Sequence, residues 1–183
     1  MEMTISASGW RHGLRGLGRH SVWPYLLVFG LVLVGFGAVR GGVMGMSDAA
    51  PTPSEMDSMS VLVRQAMEDG ALGMATGLFY APQSYSTTDE VVALARIVGE
   101  YGGVYDSHMR DESSYTVGLV GAVEEVIEIA EAAGIRANIS HIKALGVDVW
   151  GESATVVDLI RAARARGVIV TADQYPYEAS GSS

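Results

Sequence analysis

The sequence predicts an α/β protein whose strands form one parallel sheet with helices packed outside it, an unfinished barrel. Three observations predict this. Helix and strand patterns alternate strictly from Thr52 to Asp173. Successive strand patterns recur roughly every 30 to 35 residues, the length of a βαβ unit. The 183 residues, 49% of them hydrophobic, suffice for one domain with a real core, yet a complete α/β barrel needs about 250. Alternating units place helices outside a parallel sheet. A barrel and an open doubly wound sheet both satisfy that pattern. The sequence stops just after a strand, with no sheet-closing signal, which favours a partial barrel over a finished one.

The elements follow in order. Thr52-Pro53-Ser54-Glu55 starts a helix: threonine caps it, proline occupies the first turn, and Glu55 completes a capping box. Met59, Leu62, Val63, Ala66 and Met67 follow at helical spacing, and Gly70 ends the run. Ala71 to Thr76 reads as a strand, and Gly77 to Ser86 as a polar loop. Thr87-Thr88-Asp89-Glu90 offers a second capping box, with Val91, Leu94, Ala95 and Val98 as the buried face of its helix. Gly102-Gly103 stops that helix, and Gly103 to Met109 reads as a strand. A helix is expected from Val117 to Ala133, ended by Gly134, then a strand from Arg136 to Ile142. A last helix, Glu152 to Arg166, ends at Gly167, and Val168 to Asp173 is the last strand.

The N-terminal part has two readings. Residues 21 to 39 carry no charged side chain and follow Arg11, Arg15 and Arg19. A basic flank before about 18 to 20 apolar residues is the pattern of a signal anchor or single membrane-spanning helix. The competing reading is a buried strand region, because Gly30, Gly35 and Gly37 weaken a helix and valine-rich runs suit buried strands. Residues 1–31 are accordingly set apart as a basic, then apolar, segment, and 32–183 as the domain. The cytoplasm is the expected compartment, with single-pass attachment through residues 21–39 as the alternative.

Charge and composition exclude several functions. The net charge is −9, and beyond residue 40 the chain has 8 basic against 20 acidic side chains. An acidic body repels phosphate backbones, so nucleic acid is not an expected partner. Without cysteine, disulfides, thiolate zinc sites and cysteine nucleophiles are excluded. No GxxxxGK[ST] phosphate loop is present.

In parallel α/β folds, ligands bind at the carboxyl ends of strands. Beyond residue 40 there are two histidines, His108 and His141, each at a predicted strand end in a Ser-His-x-basic setting. Neutral imidazoles from neighbouring strands can share one zinc ion, which polarises an amide carbonyl and activates water near neutral pH. Each residue also has an ordinary reading. A strand-end histidine is often a hydrogen-bonded structural residue. Asp173 could cap a turn, Arg110 and Lys143 could be solvated charges, and Tyr175 and Tyr177 could be packing residues.

Five segments then resemble a known family: Asp69 to Leu78 (DGALGMATGL), Glu100 to Tyr105 (EYGGVY), Ser107 to Glu112 (SHMRDE), Ile139 to Lys143 (ISHIK) and Ala172 to Tyr177 (ADQYPY). Order and spacing match too, and Gly35 to Arg40 with Val43 to Gly45 resembles the preceding segment. The resemblance, over about residues 32 to 183, is to the N-acyl-D-amino-acid deacylases (D-aminoacylases) of the metal-dependent amidohydrolase superfamily. It implies a (β/α)8 TIM-type barrel with zinc at its mouth, of which this chain supplies about strands four to seven. It implies a hydrolase acting on non-peptide C–N (amide) bonds, with an N-acyl amino acid as substrate. His108 and His141 would be zinc ligands of the fifth and sixth strands. Lys143 would pair with the substrate carboxylate, aided by Tyr175. Arg110 and Glu112 would lie in the loop beside the metal, Arg110 as a substrate contact, and Asp173 would end the seventh strand.

The chain also departs from the family. It lacks a His-x-His pair, a cysteine and an eighth-strand aspartate base, so no catalytic residue is assigned and the chain alone is expected to be inactive or incomplete. Phe36 stands where the family usually has histidine between two glycines. Asp106 replaces a small or uncharged residue on the face that carries His108. A membrane-tethered, noncatalytic α/β module is the rival reading.

Overall fold

The structure, a computed structural model, describes residues 33–179. It begins with a short strand β1 (Val34–Gly35) and helix α1 (Phe36–Met44). Then come α2 (Pro53–Glu68), β2 (Gly73–Gly77), a 3-10 turn at Gln83–Tyr85, α3 (Thr88–Glu100) and β3 (Val104–His108). The rest is α4 (Gly118–Ala133), β4 (Arg136–Ile139), a 3-10 turn at Val147–Val149, α5 (Ser153–Ala165) and β5 (Val170–Ala172). The alternation expected from the sequence is present, with one more strand and helix before it.

The five strands are all parallel and stand in chain order, β1-β2-β3-β4-β5. No strand reverses that order, which removes the doubly wound alternative for the described residues. Helices α2 to α5 pack each on the next and form one layer, with α1 joined to α2 and β2. The helix-facing side of the sheet holds Met74, Thr76, Tyr105, Ser107, Ala137, Ile139 and Val170, all buried. Residues one position away on each strand point to the opposite face, because side chains alternate along a strand. There Asp106, His108 and Asn138 are half-buried, and Thr171 and Asp173 are exposed.

Local chemistry explains most boundaries. At α2, Thr52 Oγ1 accepts from the Glu55 N–H at 3.3 Å, and Glu55 Oε2 accepts from the Thr52 N–H at 2.7 Å, so the capping box is complete. Met59, Val63 and Met67, spaced four apart, face the core, while Leu62 is 46% exposed. The buried stripe of α2 is thus narrower than the sequence pattern suggested. At α3, Thr87 caps through the Glu90 N–H at 3.2 Å. Glu90 does not reach back; its carboxylate joins the buried Arg40 at 3.0 Å. The expected second box is therefore half made, because burial with an arginine offers the carboxylate a stronger partner than an exposed backbone N–H. Between β2 and β3, Gly73 leaves no room for a side chain: a Cβ would lie 2.1 Å from the Val104 carbonyl oxygen.

Helix α1 is the main departure. Its sequence, FGAVRGGVM, contains three glycines and reads poorly as a helix. Phe36, Val39 and Arg40 are its buried residues, at i, i+3 and i+4. Arg40 is fully buried, and its guanidinium also donates to the carbonyls of Ser47, Pro82 and Ala49 at 2.8, 3.1 and 3.0 Å. Tertiary contacts hold this helix against its own propensity. Phe36, at the position where a histidine was expected, is a core residue. Residues 33 to 39, the described part of the apolar run, belong to the sheet edge and the start of α1. The segment 1–31, with most of the anchor reading, lies outside the described residues, among which no helix is long and apolar enough to cross a membrane.

Candidate metal centre

The site is built by strand register. Ser107 in β3 lies opposite Ile139 in β4, so the residues following both strands emerge side by side. His108 ends β3 on the face away from the helices. His141 comes two residues after β4, in a left-handed backbone conformation (φ 41°). That conformation is uncommon outside glycine. Here the Asp173 carboxylate holds it, accepting the His141 N–H at 2.8 Å. This turn also ends β4 before Ile142, earlier than the sequence suggested. Its effect is to bring His141 Nε2 within 3.0 Å of His108 Nδ1, the ring planes at 73°. Two nitrogens bound to one tetrahedral zinc, each about 2.0–2.1 Å from it, lie about 3.3 Å apart. The observed separation is within a few tenths of that.

His108 is held below the ordinary histidine range chiefly by burial; Glu112 opposes that shift, and the charges of His141 and Lys143 add to it. The neutral imidazole, the form that binds metals, is therefore favoured. Tyr80 packs against the same ring, 5.0 Å between centroids, and Phe79 lies at 6.0 Å. Both come from the loop after β2 and were not singled out in the sequence.

Glu112 reaches the site from the loop after β3. That loop is organised by Asp111, whose buried carboxylate accepts the N–H groups of Ser113, Thr116 and Gly118 and the Thr116 hydroxyl. Burial raises the Asp111 pKa, but these hydrogen bonds outweigh it and hold the group below the usual aspartate range. The buried Glu112 carboxylate lies 3.2 Å from His141 Nδ1 and 2.5 Å from Lys143 Nζ. Lys143 Nζ is 3.0 Å from the same Nδ1 and 5.6 Å from the centre of the Tyr175 ring. His108, His141, Glu112, Lys143 and Tyr175 thus meet at one end of the sheet. His108, Glu112 and His141 each offer a ligand atom within 4.8 Å of the others.

Arg110 is placed elsewhere. Its Nε and Nη2 donate to Glu125 of α4 at 2.8 to 3.1 Å, and its Nη1 donates to the Ser84 carbonyl at 3.0 Å. Strand alternation would keep it on the face of His108; these partners instead draw its guanidinium toward α4, away from the histidines.

Beneath the histidines runs a polar layer that was only partly foreseen. The Asn138 amide donates to Asp106 and to Asp173, both at 2.8 Å. Its carbonyl oxygen accepts from the Thr171 hydroxyl at 2.8 Å, and Ser140 Oγ donates to Asp106 at 2.7 Å. Asp106, the departure noted in the sequence, is therefore carried on that face by two donors. Hydrogen bonds from Asn138 and the His141 N–H hold Asp173 below the usual aspartate range. Asn138 was missed, although its place on the strand that leads to His141, opposite Asp106, could have marked it.

Known proteins resemble this chain in sequence and in fold. No protein-family model matches the chain. It is 37% identical over 150 residues to a D-aminoacylase of Alcaligenes xylosoxydans xylosoxydans, a match covering 82% of this chain and 30% of that protein. It is 35% identical, with the same coverage, to the N-acyl-D-glutamate deacylase of that organism. Among solved structures, an N-acyl-D-glutamate deacylase of Bordetella bronchiseptica, complexed with zinc and a phosphonate mimic of the tetrahedral intermediate, superposes with a TM-score of 0.76 at 37% identity, over 80% of this chain and 30% of that one. A D-aminoacylase structure described as defining a novel subset of amidohydrolases gives 0.74 at 36% identity, over 79% and 30%. The chain thus spans about 30% of the length of the relatives it matches.

Proposed function

We propose that this chain, homologous over about four-fifths of its length to the D-aminoacylase-type deacylases, supplies part of a zinc-dependent amidohydrolase that cleaves N-acyl-D-amino acids. In this reading β2 to β5 are the fourth to seventh strands of a (β/α)8 barrel, with β1 the third. The observation that carries it is the convergence of His108 Nδ1 and His141 Nε2 at 3.0 Å.

The donor set fits zinc as far as it goes. Two imidazoles at that spacing match nitrogen ligands of one ion, but zinc sites take at least three protein ligands. The remaining ligands and the catalytic base would come from other strands of the barrel. Zinc, when bound, supplies polarisation of the amide carbonyl and a more acidic water.

This chain's own residues then have distinct tasks. His108 and His141 hold the ion. Lys143, with its ammonium beside the Tyr175 ring, binds the substrate carboxylate. Asp173 fixes the backbone turn that aims His141. Glu112 stands against the far nitrogen of that ring. Arg110, engaged with Glu125, anchors the end of β3 to α4 and does not meet substrate.

The test is a graft. Residues 33–179 replace the corresponding segment of a D-aminoacylase, so that the other strands are supplied. The chimera should bind zinc and release D-amino acids, but not L-amino acids, from N-acetyl substrates, and His108→Ala should abolish both properties. A folded chimera with neither zinc nor D-selective hydrolysis would refute the assignment.

A further inference from the structure

We propose that Arg110 is a positioning residue: its hydrogen bond to the Ser84 carbonyl fixes the loop of residues 78–86, and with it the Tyr80 ring that walls one side of His108. The inference rests on the zinc reading above only for why that wall matters, and it adds a task which the anchoring of β3 to α4 does not include.

The loop is gripped at three consecutive residues by three parts of the chain. The Pro82 carbonyl accepts from Arg40 of α1 at 3.1 Å. The Gln83 side-chain oxygen accepts from the Gly77 N–H, at the end of β2, at 2.7 Å. The Ser84 carbonyl accepts from Arg110 at 3.0 Å. The first two grips are close fits among buried groups: Arg40 is fully buried, and a Cβ on Gly37 of α1 would lie 2.7 Å from Gln83 Nε2. Only the third comes from the chain just after β3, where His108 stands.

That origin couples the loop to the imidazole. The Ser84 N–H donates to the Tyr80 carbonyl at 2.9 Å, and the Tyr80 ring lies 5.0 Å from the His108 ring, centre to centre. The Leu78 N–H donates to the His108 carbonyl at 3.1 Å. The end of β3 therefore holds both limbs of the loop, His108 by its carbonyl and ring, Arg110 by its guanidinium. Glu125 prepares that guanidinium by occupying Nε and Nη2, which leaves Nη1 for Ser84. A planar fork can serve both acceptors at once. Tyr80 is 41% exposed, too little burial to hold its ring by packing alone, so the backbone under it must be fixed from elsewhere. A ring held there limits the access of water to His108, and the apolar surroundings of a metal site tune any ion bound in it.

The test uses the full 183-residue chain, metal-free, followed by amide hydrogen exchange and by the proton shifts of the His108 ring. Tyr80→Leu gives the reference shifts of an imidazole without its aromatic neighbour. Arg110→Met alone would strand the Glu125 carboxylate and unfold the protein for that reason. Arg110→Met/Glu125→Met removes both charges together, a replacement that is often neutral or stabilising. This pair variant should keep its global stability in denaturant unfolding. Its Ser84 amide should nevertheless exchange about 10- to 100-fold faster, the range that a hydrogen bond from a charged donor supplies. The His108 ring protons should move toward their Tyr80→Leu positions. Arg110→Lys, which keeps a charge for Glu125 but lacks the fork, should show the same two changes. Wild-type exchange at Ser84 together with wild-type His108 shifts in the pair variant would overturn the inference, since Arg110 would then be only a strut between β3 and α4. Should the pair variant not fold, Arg110→Lys decides by the same two readouts. Both are taken without metal, so a chain that takes up no zinc would refute the zinc reading and leave the grip of Arg110 on the loop standing.

Discussion

The two faces of the sheet solve different problems with adjacent residues. Ile139 points to the helices and is fully buried, while its neighbour Asn138 points the other way and bridges two aspartates. The helix face works by volume: Met74, Tyr105, Ile139 and Val170 fill space, and nearly any loss there costs stability. The other face works by direction: Asp106, Asn138, Ser140, Thr171 and Asp173 are joined by hydrogen bonds that leave the histidines above them little freedom. The comparison teaches that stability and metal competence are separable in this domain, although the residues responsible alternate along the same strands.

Substitutions can break or sharpen that separation. The largest effect is expected where both faces depend on one spacing. Gly73→Ala forces a Cβ against the Val104 carbonyl, should prevent β2 and β3 from pairing, and should yield no folded soluble protein by circular dichroism. Next comes Ile139→Ala, a cavity under the helices, expected to cost about 2–5 kcal/mol in denaturant unfolding. Zinc affinity of the protein that remains folded should be unchanged. Asn138→Ala should do the reverse. It should cost only about 1–2 kcal/mol, because the site is half-solvated, yet lower zinc affinity severalfold by freeing Asp173 and the His141 turn. Equal losses of zinc binding in the two variants would erase the distinction.

The smallest expected effect is on acid stability. Asp111 and Asp173 both have folded-state pKa values below the ordinary range. Their contribution is complete above the unfolded aspartate pKa of about 3.9 and is lost as pH falls through the lower folded values. Stability measured between about pH 5 and pH 2 should therefore fall less steeply in Asp111→Asn than in wild type, relative to each protein at neutral pH. Asp173→Asn should show the same sign with a smaller change, since Asp173 is exposed and solvent screens it.

Much of this was legible in the sequence, and the reasons are local. Thr52 with Glu55, Thr87, Gly102-Gly103 and Gly134 mark helix ends by chemistry that acts within a few residues. The meeting of His108 and His141 could be expected because each ends a parallel strand one βαβ unit from the other. What was hidden depends on distant partners. Arg40 finds Glu90 across 50 positions and stabilises a glycine-rich helix that propensity argues against. Arg110 is claimed by Glu125, about two turns into α4, and so turns from the site its sequence neighbours suggested. Asn138 matters only because Asp106 and Asp173 flank it on neighbouring strands.

Backbone pairing, with Ser107 beside Ile139, decides where the two rings meet; the amount of polypeptide travelled between them does not. The return bends at Gly102 and Gly134 lie at the other rim of the sheet. Insertions or deletions there would change the protein's outline and leave the reactive corner in place. A lineage built on this scaffold could remodel one rim freely while the opposite rim stays constrained to the fraction of an ångström that coordination chemistry demands.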